Sequence, residues 1–249
     1  MFKYFLSENI KIKHTFAEKL SWIAPSFVIL LSISLAAIYF QVDSYNWWYV
    51  TMLPGTVALS CALLSKIDGG MKNRAVISLP VELQKVWVAK VLVGIKKLFI
   101  SCIIIFIAAQ LSIFIVNINP ISKIPTLNGL AATLILIVTY MWQVPLCLFL
   151  GNKIGLFPTI ILSLGVNVIC GVMAIEEYWW MIPFSYPCRL MCPILKVLPN
   201  GLLAEPGSQT FTPQLLDTWV IPFGIGVSFI LFLIVTYITA KWFERQEAI

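Results

Sequence analysis

Charge is scarce in this sequence and histidine is nearly missing. Only 11% of its 249 residues are charged, and the single histidine is His14. Soluble domains carry about 25% charged residues, so an ordinary soluble domain is excluded. One histidine near the start of the chain leaves no Ser/His/Asp set to assemble deeper in it. No Gly-Lys pair occurs, so the Gly-x-x-x-x-Gly-Lys-Ser/Thr phosphate loop is absent and ATP hydrolysis is expected to lie outside this chain. The six cysteines show no zinc spacing. No catalytic set and no metal-ligand set can be named. Gly/Ser linkers, low-complexity tracts and fixed-period repeats are also lacking, which leaves one domain over residues 1–249.

What is present is long, uncharged, apolar sequence. Six runs stand out: Trp22–Phe40, Ser44–Ser65, Leu98–Val116, Leu127–Leu150, Leu156–Ile175 and Trp219–Ala240. A bilayer core about 30 Å thick takes roughly 20 apolar residues in a helix. Backbone groups in hydrocarbon must pair within the segment, so such runs read as helices. The expected fold is an all-α membrane protein with six transmembrane helices. The first run carries a small-x-small site at Ser34-Leu35-Ala36. Its 21-residue leader is long for a signal peptide and the run continues to Phe40, so it is read as a span. No run holds Asp or Glu in its interior, which disfavours a proton- or ion-coupled carrier.

The basic residues are sorted by side. With the N-terminus in the cytoplasm, 14 of the 17 Lys and Arg fall inside, and only Lys123, Arg189 and Lys196 fall outside. The positive-inside rule therefore predicts both termini in the cytoplasm. The net charge of +6 thus marks topology and does not suggest nucleic acid.

The connecting segments add detail. In residues 1–21, Phe2, Leu6 and Ile10, then Ile12, Phe16 and Leu20, recur at intervals of four. This predicts an N-terminal helix lying in the inner interface. Pro25 is expected in the first turn of span one, where proline is tolerated. The first outer loop is aromatic, with Tyr45, Trp47, Trp48 and Tyr49. Its rings suit the headgroup level, as anchors or as a ligand platform. Residues 66–97 form the longest cytoplasmic piece, with its turn-forming part in 66–90. Gly69-Gly70 permits a sharp turn, Met71–Leu79 is expected to form a short helix that Pro80 ends, and a second helix is expected from Val81 into span three. Lys72, Asn73 and Arg74 would ride on that helix, or on a solvated basic loop that meets anionic lipid.

Pro145 is expected to kink span four. Gln110, Gln143 and Asn167 are expected to hydrogen-bond between helices. Residues 176–218 contain Pro183, Pro187, Pro193 and Pro199, with Arg189 and Lys196 among them. That pattern predicts broken outer helices before span six, with Cys188 and Cys192 close enough in sequence for a disulfide. The Glu176-Glu177 pair resembles part of the membrane CAAX-protease motif. That motif wants arginine where Met181 stands, and the histidines it needs are lacking.

Six spans, an interfacial leader, a short cytoplasmic helix between spans two and three and a broken outer segment together resemble the type-2 ABC exporter permeases over the whole chain. The loop after span two in that superfamily carries an acidic residue and a glycine, then Leu-Pro, then a lysine. Here these match Asp68, Gly70, Leu79-Pro80 and Lys90. Length and the run Lys72-Asn73 … Ser78-Leu79-Pro80 … Trp87 … Lys90 look most like the lantibiotic self-immunity permeases, the MutE/EpiE group.

The resemblance implies a bacterial cell-membrane protein that is not itself an enzyme. It implies a separate ABC ATPase in two copies, which holds ATP and magnesium, and a second similar permease or a copy of this chain. Asp68, Gly70, Lys72, Asn73, Arg74, Leu79 and Pro80 would couple to the ATPase. The implied cargo is an amphipathic cationic peptide taken from membrane lipid. Trp47, Trp48, Glu176, Glu177, Trp179 and Trp180 are candidate contacts for it. A permease for a lipid, drug or sugar chain fits the same features, as does a non-transporting sensor or sequestering module.

Overall fold

A computed structural model describes residues 1–69, 73–115 and 123–246, and its secondary structure is helical apart from an isolated bridge between Val197 and Leu203. Among the described residues, five helices are long and apolar enough to cross a membrane. A bent pair makes a sixth if its halves count as one span. The protein is therefore a multi-pass, all-helical membrane protein. Gly70, Met71, Lys72 and Val116 lie outside the described residues.

Helix α1 (Phe2–Lys11) leads to a corner where His14 takes a positive φ, and α2 (Phe16–Ala36) starts directly after it. The interfacial helix thus ends at Lys11 rather than near residue 21. Phe16 and Leu20 belong to the first span. Pro25 accordingly sits well inside α2, not in its first turn.

A 3₁₀ turn at Ala37–Tyr39 turns the chain back, and α3 (Phe40–Trp47) packs on α2. A π turn at Trp48–Met52 joins α3 to α4 (Leu53–Gly69). The expected aromatic loop is thus helical. Tyr45, Trp48 and Tyr49 are buried, because their rings join the apolar core between the helices. The Tyr45 hydroxyl donates to the Gly129 carbonyl at 3.0 Å, and the Tyr49 carbonyl accepts from the Tyr140 hydroxyl at 2.7 Å.

One helical turn, α5 (Arg74–Ile77), follows, and then α6 (Leu83–Ile115) runs for 33 residues. The helix expected from Val81 is thus continuous with the third span. Helices α7 (Thr126–Met141) and α8 (Gln143–Lys153) meet at 41°. Pro145 explains the bend, since its missing N–H and its ring disturb the carbonyl of Met141, four residues back. Helix α9 (Leu156–Val172) returns, and Gln143 and Asn167 exchange side-chain hydrogen bonds of 3.0 and 3.2 Å between α8 and α9. Such pairing satisfies amides that lipid could not.

The proline-rich stretch breaks into 3₁₀ turns at Trp179–Met181 and Pro183–Ser185, then α10 (Tyr186–Leu195). All of α10 except Pro193 is buried, so it packs between helices rather than lying flat on lipid. Cys188 and Cys192 stand one turn apart along it as free thiols. Burial pushes the Cys192 thiol up to about 12, so both cysteines act as small packing groups there. A last helix, α11 (Val220–Glu244), closes the bundle.

Helix α4 is central and packs on α2, α8 and α9. Its approach to α8 depends on Gly151, where an added Cβ would lie 2.7 Å from the Ala62 Cα. The neighbour is backbone, so the helices themselves would have to separate. Gly151→Ala is expected to destabilise the fold by about 1–3 kcal/mol. Gly165→Ala serves as control, because no atom lies within 4 Å of its Cβ position. Thermal unfolding in detergent measures both, and equal midpoints would refute the close approach.

Candidate functional site at the basic end of the bundle

Four charged side chains meet where α1, α4 and α6 converge. Lys90 on α6 is 2% exposed and donates to Glu8 Oε2 on α1 at 2.7 Å. Lys90 also donates to Asp68 Oδ2 on α4. Lys11 donates to Glu8 Oε1 at 2.6 Å and to Asp68 Oδ2 at 3.0 Å. Two acids and two bases therefore form a closed, neutral set. A buried charge is tolerable only when paired in this way. Burial works against the charge on Lys11, but its hydrogen bonds and attraction to Glu8 and Asp68 outweigh this and raise its pKa above the usual lysine value.

The segment between α4 and α6 springs from this cluster. The Asn73 N–H donates to the carbonyl of Asp68 itself at 3.1 Å, and Asn73 takes a left-handed φ of 59° to turn the chain. Asparagine tolerates that region better than most residues. Its side-chain amide donates to Gln246 Oε1 at 2.8 Å, which ties the turn to the C-terminal segment. Val76 of α5 is buried, while Arg74, Ser78, Leu79 and Pro80 face outward. Leu79 is 55% exposed.

Within the described part of the expected helix Met71–Leu79, only Arg74–Ile77 is helical: the left-handed Asn73 precedes it, and Pro80 disfavours helix just ahead of itself. Of the seven expected coupling residues, Arg74, Leu79 and Pro80 lie on an outer surface. Asp68 and Asn73 point inward and brace the segment. Gly70 and Lys72 lie outside the described residues.

The opposite end of the bundle separates the expected cargo contacts. Glu176, Glu177 and Trp180 are exposed, and Trp47 is partly so. Trp48 is fully buried and Trp179 nearly so. The Trp179 ring meets Tyr186 edge-on and takes the Arg189 guanidinium 5.3 Å from its centroid. Arg189 also donates to the Gln214 carbonyl at 2.8 Å, so it knits the outer segment together. Trp48 and Trp179 are therefore packing residues behind the surface that Trp180 and the two glutamates form.

Glu8 was not singled out in the sequence. The signal was there: it is the only acid in α1, and Lys11 follows it at i+3, on the helix face opposite Phe2, Leu6 and Ile10. An acid on that face asks for a cation from a neighbouring helix.

No protein-family model, curated protein or solved structure matches the chain.

Proposed function

We propose that this chain is the membrane permease subunit of an ATP-driven exporter of the type-2 ABC class. More particularly, its residue pattern favours the lantibiotic self-immunity permeases, which expel an amphipathic cationic peptide from the membrane. The observation that carries the reading is the outward-facing turn Arg74–Pro80, braced on the buried cluster of Glu8, Lys11, Asp68 and Lys90. Such a turn can pass on a push, because three helices share its foundation.

In this reading both termini and the basic end lie in the cytoplasm of a bacterial cell, as the distribution of Lys and Arg favours. Two copies of a separate ATPase bind ATP and magnesium and press on Arg74, Leu79 and Pro80. A second permease, or another copy of this chain, completes the membrane part. The bundle then rocks between two packed arrangements of similar energy. Glu176, Glu177, Trp180 and Trp47 would face the cargo, where carboxylates and rings suit a cationic amphiphile.

The test is co-expression with an ABC ATPase of the lantibiotic-immunity class, followed by purification and a growth assay with a lantibiotic. Co-purification and protection are expected, and abolishing ATP hydrolysis in the partner should end the protection. Protection that survives an inactive ATPase would instead establish a sequestering module. Co-purification without protection would point to another amphiphile as cargo.

A further inference from the structure

Helix α11 is fastened at both ends and nearly bare between them. Val220, Gly224 and Ser228 are buried near its start, and Thr239, Ala240 and Phe243 near its finish. From Phe229 to Ile238 no residue is buried. Only 11% of this span is buried, against 56% for the span that ends in α4. Its ends, more than its middle, therefore decide where it sits.

The outer end grips the segment before it. The Phe223 ring lies edge-on to Trp179 at 5.9 Å and 6.3 Å from Tyr186. Trp219 adds a ring 6.5 Å from Trp179. Leu190 of α10 sits over Gly224, 2.8 Å from where a Cβ would stand. Trp179 and α10 belong to the segment that carries Glu176, Glu177 and Trp180 to the surface.

The inner end grips the turn Arg74–Pro80 from both sides. Before the turn, the Asn73 amide donates to Gln246 Oε1 at 2.8 Å. After it, Gln84 donates to Glu244 Oε2 at 2.6 Å. Deeper in α6, Trp87 stacks on Phe243 with centroids 4.9 Å apart, and its Nε1 donates to Thr239 Oγ1 at 2.9 Å. None of these contacts involves Glu8, Lys11, Asp68 or Lys90, so the turn has a second foundation.

Between the two grips the helix has no place to yield. Sharp kinks arise at proline, at glycine or at a π bulge. From Val227 to Glu244 the chain has neither Pro nor Gly, and α11 is regular throughout. The distance from Phe223 to Phe243 along the axis is about 30 Å.

We propose that α11 is a strut that ties the outer segment to the turn Arg74–Pro80, so that a change at one end is felt at the other. The proposal concerns this chain alone. It does not rest on transport or on what docks at the turn.

Hydrogen–deuterium exchange of the full chain in lipid nanodiscs, read by mass spectrometry, tests this. Phe223→Ala loosens the outer grip. The amides of Val76, Ile77, Ser78 and Leu79, which donate within the turn, are then expected to exchange about fivefold faster. The amides of Lys13 and Thr15, at the α1–α2 corner, are expected to stay unchanged. Gln84→Ala/Gln246→Ala cuts the inner grip, and adding Phe223→Ala to it is expected to change the turn by less than about twofold. Trp219→Ala takes the place of Phe223→Ala if that variant does not fold, because Trp219 is the more exposed of the two. Unchanged exchange in the turn would overturn the proposal. Equal acceleration at the α1–α2 corner would also overturn it, as a general loosening of the fold. So would a full fivefold effect once the inner grip is cut, because the link would then run through another helix.

Discussion

Lys90→Ala is expected to destabilise the folded chain by about 3–5 kcal/mol, more than truncation of any other member of the charge cluster. The cost arises from what stays behind. Glu8 and Asp68, only 3% and 6% exposed, would be left with Lys11 alone to balance two carboxylates. Removing one partner of a buried ion pair leaves an uncompensated charge. Lys11→Ala is expected to cost less, since Lys11 is partly exposed and water can reach the charges beside it.

Thermal unfolding in detergent, followed by tryptophan fluorescence, measures both variants. A loss below about 1 kcal/mol for Lys90→Ala would refute a tightly closed cluster. Neutralising all four residues together (Glu8→Gln, Lys11→Met, Asp68→Asn, Lys90→Met) is expected to cost far less than Lys90→Ala alone, because no charge is then stranded. The pH dependence of Lys11 follows from its raised pKa. Its contribution is complete below the ordinary lysine value of 10.5 and fades only as pH rises through the higher folded value. Titration from pH 6 to 9 should therefore leave that contribution unchanged.

Leu79→Glu is expected to end both co-purification with the ATPase and peptide protection, while leaving the unfolding midpoint within about 0.5 kcal/mol of the parent. Leu79 is exposed at the tip of the turn, so little packing within the chain is lost. A carboxylate there would be desolvated without a partner in an apolar docking site. Full ATPase capture and normal protection in this variant would remove the turn from the coupling role. A fall in the midpoint comparable with that of Lys90→Ala would show that Leu79 serves the fold instead.

The spans were legible because hydrocarbon admits few alternatives to a helix, and uncharged length suffices to find them. Their boundaries were less so. The start of α2 at Phe16 depends on the corner at His14 and Thr15, which no apolar pattern marks. The start of α6 near Leu83 was legible as a helix from Val81 after Pro80, but the burial of Lys90 was hidden, because Lys85, Lys90, Lys96 and Lys97 look like solvated charges. Lys90 is instead buried against acids from two other helices. Asp68 and Lys90 could be picked out by resemblance, but their meeting with Glu8 is a tertiary fact, set by how α1 lies on α6. Trp48 and Trp179 misled for the opposite reason. Aromatic side chains at a membrane boundary suit headgroups and protein cores equally well, and only the packing of α10 against its neighbours tells which they chose.

The π turn at Trp48–Met52 places one surplus residue inside an otherwise α-helical rod. Each residue of a helix advances its side chains by about 100°. The angular phase of everything downstream, from Ala62 facing Gly151 to Asp68 facing Lys90, is therefore set by that single extra residue near the far end. Deleting it would leave the rod continuous and apolar, yet swing the Asp68 carboxylate off its lysines and present a different flank to α8. The two ends of the bundle are thus geared together through one helix, with its timing fixed by a local insertion rather than by any residue at either end.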